Sequence, residues 1–330
     1  MGRLLVGDVG ATKVLLSAYE AEADLPLAQK RYLSADFPSL TALIQTFQQT
    51  FSLPHFDIAC LGLPGPVTSS RVHLTNLPWV VDAEALAATC HIDQVMLEND
   101  FTAAAWGLNL LSIEEMRCLQ VGKQEVKGNR LIVGAGTGLG VAPIKNCDGN
   151  WIPEASEGGH MDFAPANAEQ FELLQVLENQ WTHVSYERLL SGKGLERLYA
   201  FYHAKSLGEW PALLKTVKSA QQVHAQANAG EPIARQAMKM FVEIYGAYIG
   251  NLALFWSSKA GIYIAGGIAP KIYDWLQQPY FKQAMTAKGR LSNWVQSMPV
   301  YLVMSEEIGL LGAYYLAKQK FENQIKMGVA

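Results

Sequence analysis

Leu97-Glu98-Asn99-Asp100-Phe101 is the stretch on which the fold turns. Upstream, Val95-Met96-Leu97 reads as a buried strand, and Thr102 to Leu110 reads as the helix that follows. Asn99-Asp100 therefore stands at a strand end, where open α/β sheets bind ligands. A carboxylate there can take a proton from a hydroxyl, and the amide beside it can orient that hydroxyl.

Working outward, Arg3 to Val6 and Val14 to Tyr19 are apolar, β-prone runs joined by Gly7-Asp8-Val9-Gly10-Ala11-Thr12-Lys13, a hairpin signature. Lys30 to Leu33 can add a third strand. Leu40, Leu43, Ile44, Phe47 and Phe51 recur at helical spacing after Pro38. Asp57 to Leu61 returns as a strand. Pro64-Gly65-Pro66 turns the chain into a polar stretch through Thr75-Asn76-Leu77-Pro78-Trp79, and Asp82 reads as the N-cap of a helix to Cys90. The charged segment Glu114 to Arg130 is the expected boundary between halves. Beyond it, Leu131 to Val133 and Leu139 to Ile144 pair around Gly134-Ala135-Gly136-Thr137-Gly138. Strand, Gly/Thr turn, strand thus opens each half, a hint of duplication. From Gln170 the pattern is mostly helical, with a long helix from Glu231-Pro232 to about Ser257. Gly261 to Ala265 and Val300 to Met304 are strands, and Glu306 to Lys318 is a terminal helix.

The 330 residues suit two α/β lobes better than one core. A formal charge of −4 and a pI near 6.0 argue against nucleic acid or an anionic membrane as the main partner. The four cysteines, Cys60, Cys90, Cys118 and Cys147, lack C-x-x-C spacing and read as reduced thiols of a cytoplasmic protein. No targeting segment is expected from Arg3-Leu4-Leu5-Val6, too short an apolar run for a signal peptide. The apolar run Ile244 to Pro270 is broken by Asn251, Lys259 and Gly266-Gly267, so a buried helix and strand are expected there rather than a membrane span.

Glycines in the Gly7 to Lys13 stretch let backbone N–H groups approach phosphate oxygens, and Thr12 adds a hydroxyl. Asp8 would suit a magnesium ion or its water shell; an ordinary hairpin turn is the alternative. Gly134 to Gly140 fits neither G-x-G-x-x-G nor a P-loop, because Leu139 falls where a third glycine belongs and no Gly-Lys-Ser/Thr follows. Two Gly/Thr hairpins could clasp phosphates, or the second could be a turn that needs positive φ. Glu157-Gly158-Gly159-His160 lets Glu157 and His160 point into one space, as sugar hydroxyls require. His160 and Asp162 lack a third metal ligand at a recognised spacing. Glu187, in Ser185-Tyr186-Glu187-Arg188, reads as a solvated or ion-paired helix residue, and His183 as structural. Gly266-Gly267 is a strand-to-helix turn against which a nucleotide base could lie.

In order along the chain, these stretches resemble bacterial glucokinase, of the hexokinase group within the actin-like ATPase superfamily. The carrying residues are Gly7-Asp8-Val9-Gly10-Ala11-Thr12, Glu98-Asn99-Asp100-Phe101-Thr102-Ala103 and Gly134 to Ala142. They continue through Glu157-Gly158-Gly159-His160-Met161-Asp162-Phe163-Ala164-Pro165, His183 to Arg188, Leu190-Ser191-Gly192 and Ile264-Ala265-Gly266-Gly267-Ile268-Ala269-Pro270. Any one is weak, and the ordered set is specific.

The resemblance implies an α/β fold of two ribonuclease-H-like, actin-like ATPase lobes around a central cleft. The small lobe would be 1–110 with the C-terminal helix of about 305–330 packing back on it, and the large lobe 111–304. It implies ATP-dependent phosphorylation of D-glucose at O6, with Asp100 as general base. Asn99, Asp100, Glu157, His160 and Glu187 would bind glucose. Gly7, Asp8, Val9, Gly10, Ala11, Thr12, Gly136, Thr137 and Gly138 would hold ATP phosphates, and Gly266 and Gly267 would lie near the adenosine. Mg2+ would be held by Asp8 through water, and a homodimer is implied.

The chain departs from the family's usual Gly-Gly-Thr-Asn at Gly10-Ala11-Thr12-Lys13. It also has no cysteine after Cys147, unlike the zinc-bearing repressor/kinase group, and no helix-turn-helix is expected ahead of Arg3. A kinase of mannose, fructose or an N-acetylhexosamine is a second reading, and a non-catalytic actin-like nucleotide-binding protein a third.

Overall fold

The computed structural model describes residues 2–74, 77–208 and 218–328. Thr75 and Asn76, in the polar stretch before Trp79, lie outside the described residues. The chain divides into two compact units, Met1–Ser112 with Ser305–Ala330, and Ile113–Met304.

In the first unit β1 (Arg3–Val9), β2 (Lys13–Glu20) and β3 (Ala28–Leu33) form an antiparallel meander. β4 (Phe56–Leu63) follows, then a small ribbon of β5 (Arg71–His73) and β6 (Val80–Asp82), then β7 (Ile92–Asn99). The five-stranded sheet has the order β3-β2-β1-β4-β7, with β1, β4 and β7 mutually parallel. One face is covered by α1 (Leu40–Phe51) and α2 (Ala83–Cys90). Leu40, Leu43, Ile44 and Phe47 form the buried stripe of α1, and Ser39 and Ser52 close its two ends. Asp82 accepts hydrogen bonds from the Glu84 and Ala85 N–H groups, so it caps α2. The other face carries the C-terminal helix, Ile308–Lys326, through Leu310, Ala313, Tyr314, Ala317 and Phe321. That helix crosses α3 (Asp100–Gly107), which leaves β7 without an intervening loop.

The second unit repeats the pattern. β9 (Arg130–Ala135), β10 (Leu139–Cys147) and β11 (Asn150–Pro153) form the meander, following the first strand of the unit, β8 (Met116–Gln120). With β12 (Gly261–Ala265) and β13 (Val300–Val303) the order is β11-β10-β9-β12-β13-β8. β9, β12 and β13 are parallel, and β8 is added antiparallel at the edge. The helices are α4 (Ala168–Glu178), α5 (Gly192–Leu207), α6 (Ala220–Asn228), the long α7 (Pro232–Phe255), the short α8 (Tyr273–Leu276), α9 (Pro279–Thr286) and the short α10 (Ser292–Gln296). α7 carries Glu231 as its cap, with Pro232 at the first helical position, and supplies Met238, Phe241, Tyr245, Tyr248 and Leu252 to the core. Among the described residues no helix is long and apolar enough to cross a membrane.

Several expectations need correction. The boundary falls between Ser112 and Ile113, just ahead of the segment Glu114 to Arg130, which itself belongs to the second unit because β8 lies inside it and pairs with β13. An edge strand leaves its polar residues in solvent, so composition alone hid it. β11 was not expected, although Asp148-Gly149 carries the Asp-Gly hairpin signal, with φ of 53° and 94°. The helix after Asn99 starts two residues earlier than the pattern suggested, with Asp100 as its first residue. The terminal helix runs on to Lys326.

The α3 crossing of the C-terminal helix depends on two glycines. A Cβ on Gly107 would overlap the Ile308 carbonyl oxygen, and one on Gly312 would overlap that of Ala103. In an open helix Gly→Ala stabilises by about 1 kcal/mol. At Gly312 the sign reverses, since overpacking costs about 1–3 kcal/mol. Gly312→Ala is therefore expected to lower the thermal midpoint by several degrees, and an unchanged or raised midpoint would refute the close crossing.

Candidate active site

The parallel strands of the first unit bring three functional stretches to one carboxyl edge. Asp8 on β1 stands opposite Gly62 on β4, and Gly62 opposite Glu98 on β7. Gly62 leaves room for the first turn of α3, since a Cβ there would touch the Asp100 Cα at 3.6 Å and the Ala103 Cβ at 3.5 Å. Asn99 is the N-cap of α3. Its Oδ1 accepts from the N–H groups of Phe101 at 3.0 Å and Thr102 at 2.9 Å. Its Nδ2 donates to the Gly65 carbonyl at 3.0 Å and to Asp100 Oδ1 at 3.2 Å. Asp100 Oδ1 also accepts from the Phe101 N–H at 2.7 Å. Glu98 accepts from the Asn99 N–H at 2.9 Å, so the chain is pinned on both sides of the amide.

Burial, and then the negative charge of Asp8, push the Asp100 carboxyl up to about 6, against the opposing pull of the Phe101 N–H and the Asn99 amide. Asp8 is likewise raised by burial, with Arg31 opposing and Glu307 adding to the rise. Glu307 is held by Gln29 at 3.1 Å and lies 3.7 Å from Arg31. Gly309, at the start of the C-terminal helix, admits the Asp8 carboxylate, because a Cβ there would stand 3.4 Å from it. Neither Glu307 nor Gly309 carried a readable sequence signal.

The first Gly/Thr stretch is shorter than expected. Gly7, Asp8 and Val9 belong to β1, paired with Leu16, Leu15 and Val14, and Val9 is fully buried. The turn proper is Gly10 to Thr12. The Gly10 N–H donates to the Lys13 carbonyl at 2.9 Å, and Ser34 braces the turn by donating from its hydroxyl to the Gly10 carbonyl at 2.9 Å. Ala11 lies outside the positive-φ region, so its methyl adds no backbone strain.

In the second unit the turn Gly136 to Gly138 joins β9 to β10. Neither glycine has positive φ, which removes the reading of a turn that merely needs left-handed backbone. Gly138 is needed for another reason: a Cβ there would stand 2.6 Å from Glu187 Oε2. That oxygen accepts from the Leu139 N–H at 3.0 Å. Glu187 is thus not a solvated helix residue. It lies in a 3-10 turn, Tyr186–Arg188, beneath the glycine turn. The Gly136 carbonyl accepts from the N–H of Gly192 at 2.9 Å, which sets the turn beside the N-terminus of α5, a position suited to anions.

Glu157 and His160 flank a second 3-10 turn, Gly158–His160, and both side chains are exposed. Their Oε2 and Nε2 stand 3.9 Å apart. Gly159 packs against Leu139, where a Cβ would overlap the carbonyl oxygen, so this turn too abuts the start of β10. Main-chain bonds from Phe163 N–H to the Val184 carbonyl and from Tyr186 N–H to that of Met161 join the two turns. Asp162 is taken by His183 at 2.9 Å. Gly266 has φ of 84° and lies against Ala135, while nothing stands within 4 Å of a Cβ on Gly267.

Among the described residues no three His, Cys, Asp or Glu side chains cluster closely enough to cage a metal. The Asp8 carboxylate, buried and raised further by Glu307, fits a cation whose charge would offset it.

Two sheets of the same strand order, each carrying a Gly/Thr turn and polar side chains at its carboxyl edge, make this an actin-like ATPase fold of the kind hexose kinases use. The Glucokinase family model matches residues 5–320. A glucokinase of Nostoc punctiforme is 36% identical over 334 residues, covering 95% of this chain and 98% of its own length. The crystal structure of a glucokinase from an Antarctic psychrotroph superposes with a TM-score of 0.84 at 28% identity, covering 97% of this chain and 99% of that one. A ROK family glucokinase from Streptomyces griseus, in complex with glucose and AMPPNP, has a TM-score of 0.63 and covers 96% of this chain and 100% of that one. At 19% identity its likeness is one of fold. The chain belongs to the glucokinase family.

The raised Asp100 carboxyl gives two expectations of opposite sign. A base works ionised, so kcat/KM should fall as pH drops through about 6. Stability runs the other way. Because the folded value lies above the ordinary 3.8, stability is fully present below 3.8 and is lost as pH rises from there through about 6. The thermal midpoint of Asp100→Asn should therefore gain on the wild type over that window and keep a constant lead above it. A lead that stays flat across the window would contradict the assignment.

Proposed function

We propose that Asp100 is the general base in the reaction of this family. The chain is an ATP-dependent hexose kinase that phosphorylates D-glucose to glucose 6-phosphate. The observation that carries the assignment is the position of Asp100, at the carboxyl edge of a parallel sheet and beside Asp8, with its carboxyl pushed up to about 6. A carboxylate in that range accepts a hydroxyl proton more readily than an ordinary aspartate. As the glucose O6–H bond breaks to Asp100, O6 forms its bond to the γ-phosphorus and ADP leaves with the electrons of the bridging P–O bond.

Asn99 fixes the Asp100 carboxylate and orients the sugar hydroxyl beside it. Glu157, His160 and Glu187 hold other hydroxyls, and among the described residues Glu187 Oε1 accepts no protein hydrogen bond. The turns Gly10 to Thr12 and Gly136 to Gly138 face the ATP phosphates, with the Gly10 and Gly136 N–H groups closing the turns on Lys13 and Gly138, and Gly266-Gly267 lies near the adenosine. Asp8 would hold Mg2+ through water, and the bound ion would supply charge neutralisation for the transferring phosphoryl group. Positioning and charge are most of what this transfer requires. A homodimer follows from the family resemblance. A cytoplasmic location suits four free cysteines and an ATP substrate.

ADP release from MgATP, measured with glucose, mannose, fructose and N-acetylglucosamine, tests the reading. Glucose should give the highest kcat/KM. Asp100→Asn should lower kcat by about 100-fold or more while glucose still binds in calorimetry. A variant with near-normal kcat would sink the base assignment, and folded protein that binds ATP without sugar-dependent turnover would sink the kinase reading.

A further inference from the structure

A polar chain runs behind the two turns that carry Glu157, His160 and Glu187, and nothing in the reaction as written uses it. Lys288 is half-buried and donates to Asn251 Oδ1 at 2.7 Å and to the Ala247 carbonyl at 3.1 Å. Asn251, on α7, donates from Nδ2 to the Tyr186 hydroxyl at 3.0 Å. Tyr186 is 3% exposed, immediately precedes Glu187, and packs at a tilt against Tyr248 with ring centroids 4.2 Å apart. The Tyr248 hydroxyl donates to the Gly158 carbonyl at 2.8 Å, at the head of the other turn. Each turn is therefore held by a tyrosine, and the two tyrosines pack on each other.

The direction of the chain is fixed by chemistry. A lysine ammonium only donates, so the Asn251 oxygen must face Lys288 and its amide hydrogens must face Tyr186. The lysine reaches the asparagine because α7 has no side chain at Gly250. A Cβ there would stand 2.6 Å from Lys288 Cε and overlap the Met285 carbonyl oxygen. Gly246, one turn earlier, admits the Phe281 carbonyl of α9 in the same way. Burial lowers the Lys288 pKa, and among the described residues no carboxylate is within ion-pairing distance of it. A charge held half in the protein without a counter-ion is costly unless its hydrogen bonds do something.

The rest of the Glu187 turn is held as well. Ser191 donates to the Glu187 carbonyl at 2.9 Å, and Arg197 to the Arg188 carbonyl at 2.9 Å. Among the described residues, the Tyr186 hydroxyl is the hydrogen-bonded anchor of this turn on α7.

We propose that Lys288 and Asn251 are positioning residues for sugar binding: through Tyr186 and Tyr248 they set the two turns that present Glu187, Glu157 and His160. This rests on the assignment of those three side chains to the sugar. The network reaches the sugar through these turns and the Gly136 to Gly138 turn only through the Leu139 N–H on Glu187, so the expected change is larger in glucose affinity than in phosphate handling.

Lys288→Met keeps the stem over Gly250 and removes the donor. Asn251→Leu and Tyr186→Phe each break the next link. Each should raise the KM for glucose about 5- to 10-fold, the size of one net hydrogen bond, with ATP KM and kcat within about twofold. Asn251→Asp should restore glucose KM, because a carboxylate accepts from both Lys288 and the Tyr186 hydroxyl. The double variant Tyr186→Phe/Asn251→Leu should be no worse than either single one.

Hydrogen exchange reads the same chain without any sugar. The Leu139 and Met161 amides should exchange faster in Asn251→Leu and Lys288→Met, but not in Asn251→Asp. Unchanged glucose KM with unchanged exchange, an equal rise in the KM for ATP, or additive single variants would each overturn the proposal. If Asn251→Leu does not fold, Lys288→Met decides. Wild-type protein without glucose-dependent turnover would fail the site assignment instead, and the exchange rates would still judge the network.

Discussion

The carboxamide of Asn99 is the constraint on which the first unit's chemistry depends. A strand that runs directly into a helix leaves that helix's first N–H groups without partners. Asn99 fills this gap with its oxygen, and its nitrogen ties the Gly65 turn and the Asp100 carboxylate to the same point. One side chain thus closes β7, starts α3 and aims the carboxylate. The cost of burying Asp100 near Asp8 is accepted there, and it is that cost which moves the carboxyl toward the range useful for taking a hydroxyl proton.

The two units solve the same topological problem twice. In each, an antiparallel meander leads into parallel strands, and the first hairpin of the meander carries a Gly/Thr turn at the carboxyl edge. The glycines in these turns serve different ends. Gly10 closes a hydrogen-bonded turn on Lys13, whereas Gly138 makes room for a carboxylate. In neither case is positive φ the reason. The duplicated plan sets where each turn lies, and the residues packed under it decide how it is held.

In the second unit the side chains we propose for the sugar, Glu157, His160 and Glu187, lie on or beside short 3-10 turns, which have few hydrogen bonds of their own. Their rigidity has to come from outside. The main-chain bridge between them, the packed rings of Tyr186 and Tyr248, and the reach of Lys288 past Gly250 supply it. Sites are precise when the residues that support them are themselves locked, and here the lock lies in the helices behind the turns.

Much of this was legible in the sequence. β-prone runs, the Ser39 and Asp82 caps, Pro232 at a helix start and the strand-then-helix reading around Asn99-Asp100 are local signals, governed by backbone propensity and capping over a few residues. They determined the elements, the α/β class and Asp100 as the candidate base. Glu187 stood out only by resemblance, because Ser-Tyr-Glu-Arg is what a solvated helix face also looks like. Its meeting with the Leu139 N–H spans 48 residues of chain, and Lys288 meets Asn251 across 37. The edge strand β8 was hidden for a related reason: its partner, β13, comes almost at the end of the second unit. What the sequence by itself determined, then, is which segments are strands and helices and which carboxylate stands at a strand end. Which polar groups are paired, how far burial moves a carboxyl, and which glycine makes room for which neighbour were decided only by tertiary structure, since those depend on atoms that the chain brings together from far apart.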